Sequence, residues 1–275
     1  MKQFNTWVLN TTIYIIDFLY RGRDFQRFWV LEVIARAPYF AFISVLHFRE
    51  SLGLRGEDHV YLMKEHFYQA LNETEHLEEM ERRVGWIPVE EFEYDETRDR
   101  SYDIKANWAL YVDNYLEGFH IPFVHKDLNR ELDYDNYQTE LFDGGVLQIG
   151  IANEGETTFD IPEESPDYGL DVAAYYYWIF PGLMLNFYPW GLSVNLVVPL
   201  SVGSTRIIYR GFVWDKRMLG KGAGGDLDKV ESEDQDIVEA TQRGVSSQTY
   251  DRGRYSPKRE IGVHHFHLLL HKYYR

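Results

Sequence analysis

Within DNYLEGFHIPFVH, residues 113–125, a carboxylate (Glu117) stands three residues before His120, and a second imidazole (His125) follows five residues later. Neutral imidazole is the commonest nitrogen ligand for divalent metals, so two of them in so short a span are candidates for one ion. Two ordinary histidines beside a turn would look the same, and the pair alone leaves both readings open. A continuous helix would set residues five apart on diverging faces, and Pro122 disfavours such a helix, so the chain is expected to turn between them. A two-histidine centre needs a carboxylate as third ligand and an open face for oxygen and substrate. Downstream, Asp234 and Asp236 in VESEDQDIVEATQRG are the candidates.

The elements that must position these groups sit in a chain of 275 residues, 45% apolar and 16% aromatic, enough for one large core or two modest domains. It contains no Cys, which excludes disulfides, thiolate ligands, cysteine nucleophiles and any Cys-ligated iron–sulfur cluster held by these residues. A net charge of −16 argues against nucleic acid as a partner, because phosphate binding needs a basic face. The charge is uneven: residues 1–84 carry −2 and the remainder −14. No basic leader with an apolar run and cleavage site opens the chain, and no stretch reaches the roughly 18 apolar residues of a spanning helix. The expected location is cytoplasmic, with PYFAFISVL (38–46) able to lie on a membrane surface.

Two grammars divide the chain near residues 81–86. Residues 1–83 read as helix, with Glu32 four residues before Arg36 on one face and Pro38 interrupting. After VGWIPVEEF come β-branched and aromatic runs separated by Gly, Pro and Asn: GGVLQIGIA, YYYWIFPGLMLNFYPWGLSVNLVVPL and STRIIYRGFVW. They predict an antiparallel sheet. LDKVESEDQDIVEATQRGV and the terminal GVHHFHLLLHKYY predict helices, and GKGAGGDLD a loop without the ending of a phosphate loop.

Four segments in one order, NWALYVDNYLEGFHIPFVH, YYYWIFPGLMLNFYPWGLSVN, ESEDQDIVEATQRG and SPKREIGVHHFHLLL, resemble the catalytic domain of Rieske non-heme iron oxygenase α subunits. The resemblance implies an α+β fold, a helix-grip (START-like) domain with a twisted antiparallel sheet over residues 84–275. It implies mononuclear Fe(II) on His120, His125 and Asp234, with Asp236 the alternate. Glu117 would link the iron to a neighbouring subunit's Rieske histidine, in a trimer. Asn107, Trp108 and Asn114 belong to the same motif, with capping and packing the plainer roles for the first two. Tyr175, Tyr176, Tyr177, Trp178, Phe187, Tyr188 and Trp190 are expected to share core and substrate cavity. The family's [2Fe–2S] cluster uses two Cys and two His, so electrons must come from an external reductase or ferredoxin.

Residues 1–83 resemble something else, the first half of an alternative-oxidase-type quinol terminal oxidase, carried by LYRGRDFQRFWVLEVIARAPYFAFISVLHFRESLGLRG and EHFYQALNETEHLEEME. In that four-helix di-iron family Glu32 matches a lone ligand and Glu73 with His76 a Glu-x-x-His pair, placed on one helix face. The second half of the ligand set is absent from the chain, so a di-iron centre would have to be completed in trans. Solvated helix residues are the alternative for Glu73 and His76.

The expected function is oxygen activation at iron to hydroxylate or demethylate an organic molecule. Its rivals are a quinol:oxygen oxidoreductase at a membrane surface and an iron-binding scaffold without turnover. His264, His265, His267 and His271 are expected to be ordinary helix histidines. NTT (10–12) and NET (72–74) fit a glycosylation pattern that no secretory signal supports.

Overall fold

The computed structural model describes Leu62 and residues 80–273. Glu32, Glu73 and His76, and the helices expected around them, lie outside the described residues. The chain divides into two compact units, Met1–Glu81 with Ile87–Glu91, and Arg82–Trp86 with Phe92–Arg275.

The frame of the second unit is one eight-stranded antiparallel sheet: β1 (Glu93–Tyr94), β2 (Arg100–Ile104), β3 (Gln138–Phe142), β4 (Gly145–Ile151), β5 (Val172–Ile179), β6 (Leu183–Tyr188), β7 (Gly191–Ser201) and β8 (Ser204–Val213). The order is β1-β8-β7-β6-β5-β4-β3, and β2 pairs along the same edge of β8 as β1, with Tyr102 opposite Ile207. Consecutive strands from β3 to β8 pair with their neighbours in sequence, the meander that Gly-, Pro- and Asn-punctuated runs anticipate. At the first residue of β7, Gly191 has φ +150°, and a Cβ there would stand 2.1 Å from the carbonyl oxygen of Phe212, so only glycine fits.

Five α-helices carry or cover the site: α1 (Trp108–Leu116), α2 (Ile121–Val124), α3 (Leu128–Glu131), α4 (Leu227–Val245) and α5 (Ile261–Tyr273). The expected 3.6-residue patterns over 227–245 and 261–273 form helices as read. On the inner sheet face, Val146, Trp178, Met184 and Ile207 pack against Val112 and Leu116 of α1, Val238 of α4 and Phe266 of α5. Phe266 is fully buried between Trp108 and Trp178, with ring centroids 5.6 and 5.2 Å away. That edge-to-face clamp ties the site helix to the sheet.

Strict apolar–polar alternation holds on β8, whose burial alternates residue by residue, but not on β4, β5 and β6, which are buried on both faces. The outer face of the centre is covered by other parts of the same unit. There Arg83, buried, donates to Asp167 and Glu140, Tyr175 donates to Asp167 at 3.0 Å, and Phe159 packs on Tyr175. A guanidinium is held in such a place only because two carboxylates meet it. Among the described residues no helix is long and apolar enough to cross a membrane.

Truncating Phe266 to Ala is expected to destabilise this unit by about 3–5 kcal/mol, because it removes a fully buried ring from between two tryptophans. Chemical denaturation followed by tryptophan fluorescence measures it, and a loss below about 1 kcal/mol would show that the clamp is dispensable.

Candidate metal centre

The Asn107 side chain caps α1 by accepting the Ala109 N–H at 3.0 Å. Asn107 therefore has the capping role and Trp108 the packing role. Tyr111, Asn114 and Tyr115 follow at i, i+3 and i+4 and face one cavity. The helix ends at Leu116 because Glu117 turns extended (φ −123°, ψ 142°) and its carboxylate accepts the backbone N–H groups of Phe119 and His120. Pro122 then falls in the first turn of α2, where the missing N–H costs nothing. The expected break at Pro122 is thus one helical turn, and His120 and His125 flank it with ring centroids 4.9 Å apart at 79°.

From the other side comes α4, started by Asp226, whose side chain accepts the Lys229 N–H at 3.2 Å. It carries Asp234 to the two imidazoles. Asp234 Oδ1 lies 3.1 Å from His125 Nε2 and 3.4 Å from His120 Nε2, and Asn114 Nδ2 donates to it at 2.6 Å. Both Nδ1 atoms are held from behind, His120 by Glu117 at 2.7 Å and His125 by Glu233 at 2.8 Å. A ring that donates from Nδ1 to a carboxylate presents a lone pair at Nε2, the arrangement that orients metal-ligating histidines.

The ligand atoms of His120, His125 and Asp234 lie within 4.8 Å of one another, the group among the described residues suited to hold a metal ion. Two imidazole lone pairs and a carboxylate converging at that spacing need a proton or a metal cation between them. Nitrogen and oxygen donors with one face open suit a divalent iron-type ion. Burial alone would lower the His125 imidazole, but the Asp234 and Glu233 carboxylates outweigh it and hold its pKa above the ordinary value. Asp236 is exposed, two residues and about 200° round the helix from Asp234, and stands outside the group.

Two histidines of α5 are engaged elsewhere. His265 Nε2 meets the Phe142 carbonyl at 3.0 Å, and His267 bridges Asp113 at 2.9 Å and the Tyr255 hydroxyl.

Beside His120, His125 and Asp234 is a cavity of about 80 Å³. Tyr111, Tyr115, Tyr137, Tyr176 and Tyr188 wall it, and the amides of Gln148, Asn186 and Asn195 form its sheet floor. Burial holds the Tyr111, Tyr115, Tyr137 and Tyr188 hydroxyls well above the ordinary phenol range, so they serve as neutral donors and acceptors. Gln148 donates to the Tyr115 carbonyl at 2.7 Å and the Tyr115 hydroxyl to Asn186 at 2.6 Å, fixing α1 on the floor. Of the aromatic set, Tyr176 and Tyr188 line the cavity, Trp178 is core, and Tyr175 sits on the outer face. The sequence reading missed Glu233, Glu231 and the three tyrosines Tyr111, Tyr115 and Tyr137. The i, i+3, i+4 stripe from Tyr111 was a readable signal; the arrival of Tyr137 was not.

Glu117 and His120 also line a second, outward groove of about 760 Å³, shared with Phe119 and with Phe123, whose ring is 79% exposed.

The profile of the ring hydroxylating alpha subunit (catalytic domain) family matches residues 91–275. A chloroplastic choline monooxygenase of Arabidopsis thaliana is 37% identical over 180 residues, 62% of this chain and 40% of that protein. A ubiquinol oxidase 4 of the same plant, chloroplastic or chromoplastic, is 48% identical over 82 residues, 30% of this chain and 22% of that protein. Among solved structures, the quaternary ammonium Rieske monooxygenase CntA shares the fold with a TM-score of 0.55 at 21% identity, over 72% of this chain and 53% of that one. The chain spans about 40% of the length of the choline monooxygenases it matches.

Replacing Glu233 by Gln, which leaves His125 without its carboxylate, is expected to weaken metal binding about 10–100-fold. Competition titration with a chelator reads this; unchanged affinity would show that Glu233 does not support the ligand. Affinity is also expected to fall as pH drops through the raised His125 pKa, since the metal needs the neutral ring and the metal-free protein favours the charged one. A flat pH profile would contradict that competition.

Proposed function

This chain belongs to the ring-hydroxylating α-subunit catalytic-domain family, and on that membership we propose that residues 84–275 form the oxygen-activating unit of a non-heme iron monooxygenase for a small quaternary ammonium compound. His120, His125 and Asp234 would hold Fe(II), and Glu117 and Glu233 keep the two rings aimed at it. Bound there, the iron supplies oxygen binding and reductive activation. The observation that carries the substrate class is the tyrosine wall directly beside the three ligands. Tyrosine faces attract a cation that cannot donate hydrogen bonds, and the rings of Tyr176 and Tyr188 stand edge to face at 5.9 Å. The choline and quaternary ammonium specificities of the relatives support the same reading. A cavity of about 80 Å³ admits a small headgroup and keeps bulk water from the reacting carbon.

Electrons must arrive from outside these 275 residues, because they include no Cys to hold a Rieske cluster. The outward groove beside Glu117 and His120 is the docking face this reading assigns to a reduced iron–sulfur donor, carried by a reductase, a ferredoxin or a neighbouring subunit of a trimer. Glu117, bound to His120 Nδ1, is the group through which arrival is sensed.

A second activity, di-iron quinol oxidation at a membrane surface using Glu32, Glu73 and His76, is favoured only by the 82-residue likeness to a ubiquinol oxidase. It would depend on a second chain for the missing ligands.

Anaerobic reconstitution with Fe(II), comparing the parent with His120→Ala, separates the two. About one iron per chain, lost in the variant, is the expected result for a three-ligand mononuclear centre. Choline should then be oxygenated when a reduced ferredoxin is supplied. Iron that survives the substitution would move the metal to Glu32, Glu73 and His76 and sink the oxygenase reading.

A further inference from the structure

Glu231 lies one turn before Asp234 on the same face of α4 and has no part in holding the metal. It lines two cavities at once: the metal cavity, and a second one of about 370 Å³ on the other side of α4's first turn. At the rim of the second cavity Arg100 and Asp228, 39% and 62% exposed, pair at 3.0 Å, so that cavity is in reach of solvent. Tyr209 lines the outer cavity and Tyr111 the inner one. Their hydroxyls are 2.7 Å apart, Tyr111 lies 2.9 Å from Glu231 Oε2, and Tyr209 also meets Oε2.

Three oxygens in mutual hydrogen-bond contact need three protons. The two phenols supply two, so the third belongs on the Glu231 carboxyl. Burial, and then the Asp234 charge, push this group up to about 8, in agreement with the count. The groups around it are Asp234 on its own helix, Tyr111 and Tyr115 on α1, Tyr102 on β2, Tyr188 on β6, Tyr209 on β8, Asn195 on β7 at 3.5 Å, and His125 across the cavity.

We propose that Glu231 is the proton inlet of the metal cavity, taking protons from the outer cavity through Tyr209 and releasing them inward through Tyr111. This rests on the oxygenase reading. Inserting one oxygen atom breaks a substrate C–H bond, forms a C–OH, and reduces the other oxygen atom to water. That reduction consumes two electrons from the external iron–sulfur donor and two protons from solvent. Each passage moves one proton: Glu231 gives its proton to Tyr111, which releases its own into the metal cavity, and the carboxylate regains one from Tyr209, itself reprotonated from the outer cavity. All three groups end as they began.

The test uses the full chain with Glu231→Gln, which keeps the side chain's size but cannot ionise. In iron-free parent protein, infrared spectroscopy should show a protonated-carboxyl band that disappears as pH rises through about 8, and the variant should lack it. With Fe(II) and reduced ferredoxin, the variant should keep the parent's iron content. It should lose about 10²–10⁴-fold in oxygenation rate, the usual range for a positioned proton donor. Its solvent deuterium isotope effect should rise, which loss of a merely structural hydrogen bond would not cause, and Glu231→Asp should restore part of the rate. Tyr209→Phe should move rate and isotope effect in the same direction, and it carries the test if Glu231→Gln does not fold. Absence of the band in the parent, or oxygenation by the Gln variant at the parental rate, overturns the inlet and leaves the oxygenase reading standing. A parent that binds iron but oxygenates nothing overturns the oxygenase reading, and the inlet with it.

Discussion

The Nε2 atoms of His120 and His125 and Oδ1 of Asp234 crowd within 4.8 Å, and acceptors so placed repel one another unless something positive sits among them. The surrounding structure is arranged to hold that frustrated geometry in place. One helical turn sets the two rings at right angles, two carboxylates lock their Nδ1 atoms, and Asn114 pins the third ligand from α1. Each restraint removes a way for the acceptors to relax apart. A site so restrained is organised for a cation before one arrives, the condition for tight and selective binding.

The sheet contributes differently at its two faces. Outside, Arg83, Asp167 and Tyr175 bury charge against the central strands, so β4, β5 and β6 are sealed on both sides. Inside, the apolar core under α5 gives way along the same strands to a row of amides, Gln148, Asn186 and Asn195, beneath the metal cavity. Buried amides are tolerable only when fully engaged, and here they bind the α1 backbone, the Tyr115 hydroxyl and Glu231. The same contacts that satisfy them fix the depth at which the site helix rides over the sheet.

Much of this was legible in the residues. The strand runs, both long helices and the turn between the histidines follow from local pattern and spacing, whereas the pairing of α1 with the downstream acidic helix came from the family resemblance. Pro122 marks the interruption as expected: no continuous helix runs through both histidines, and the proline falls in the first turn of the separate helix α2, because the donor it lacks is one a helix does not use there. The centre of the sheet shows no apolar–polar alternation in burial because both faces are covered, which no single-strand pattern records. Glu233 was hidden in an acidic run that looks like a solvated face. Its role appears only when His125, 108 residues away, is placed opposite. Glu231 was hidden for the same reason, since its meaning lies in the two cavities it separates. The place of Tyr137 depends on how the loop before β3 returns, which no local signal encodes.

That separation along the chain has a kinetic consequence. The two histidines lie in one short segment, but Asp234 is joined to them by a loop of more than a hundred residues that contains strands β3 to β8. Loop-closure entropy makes such a contact among the last to form, after the intervening meander has shortened the effective path. In the nascent protein His120 and His125 are therefore a weak two-point site long before Asp234 and Glu233 reach them. A metal ion held by these three residues would be captured by a domain already folded rather than acting as its nucleus.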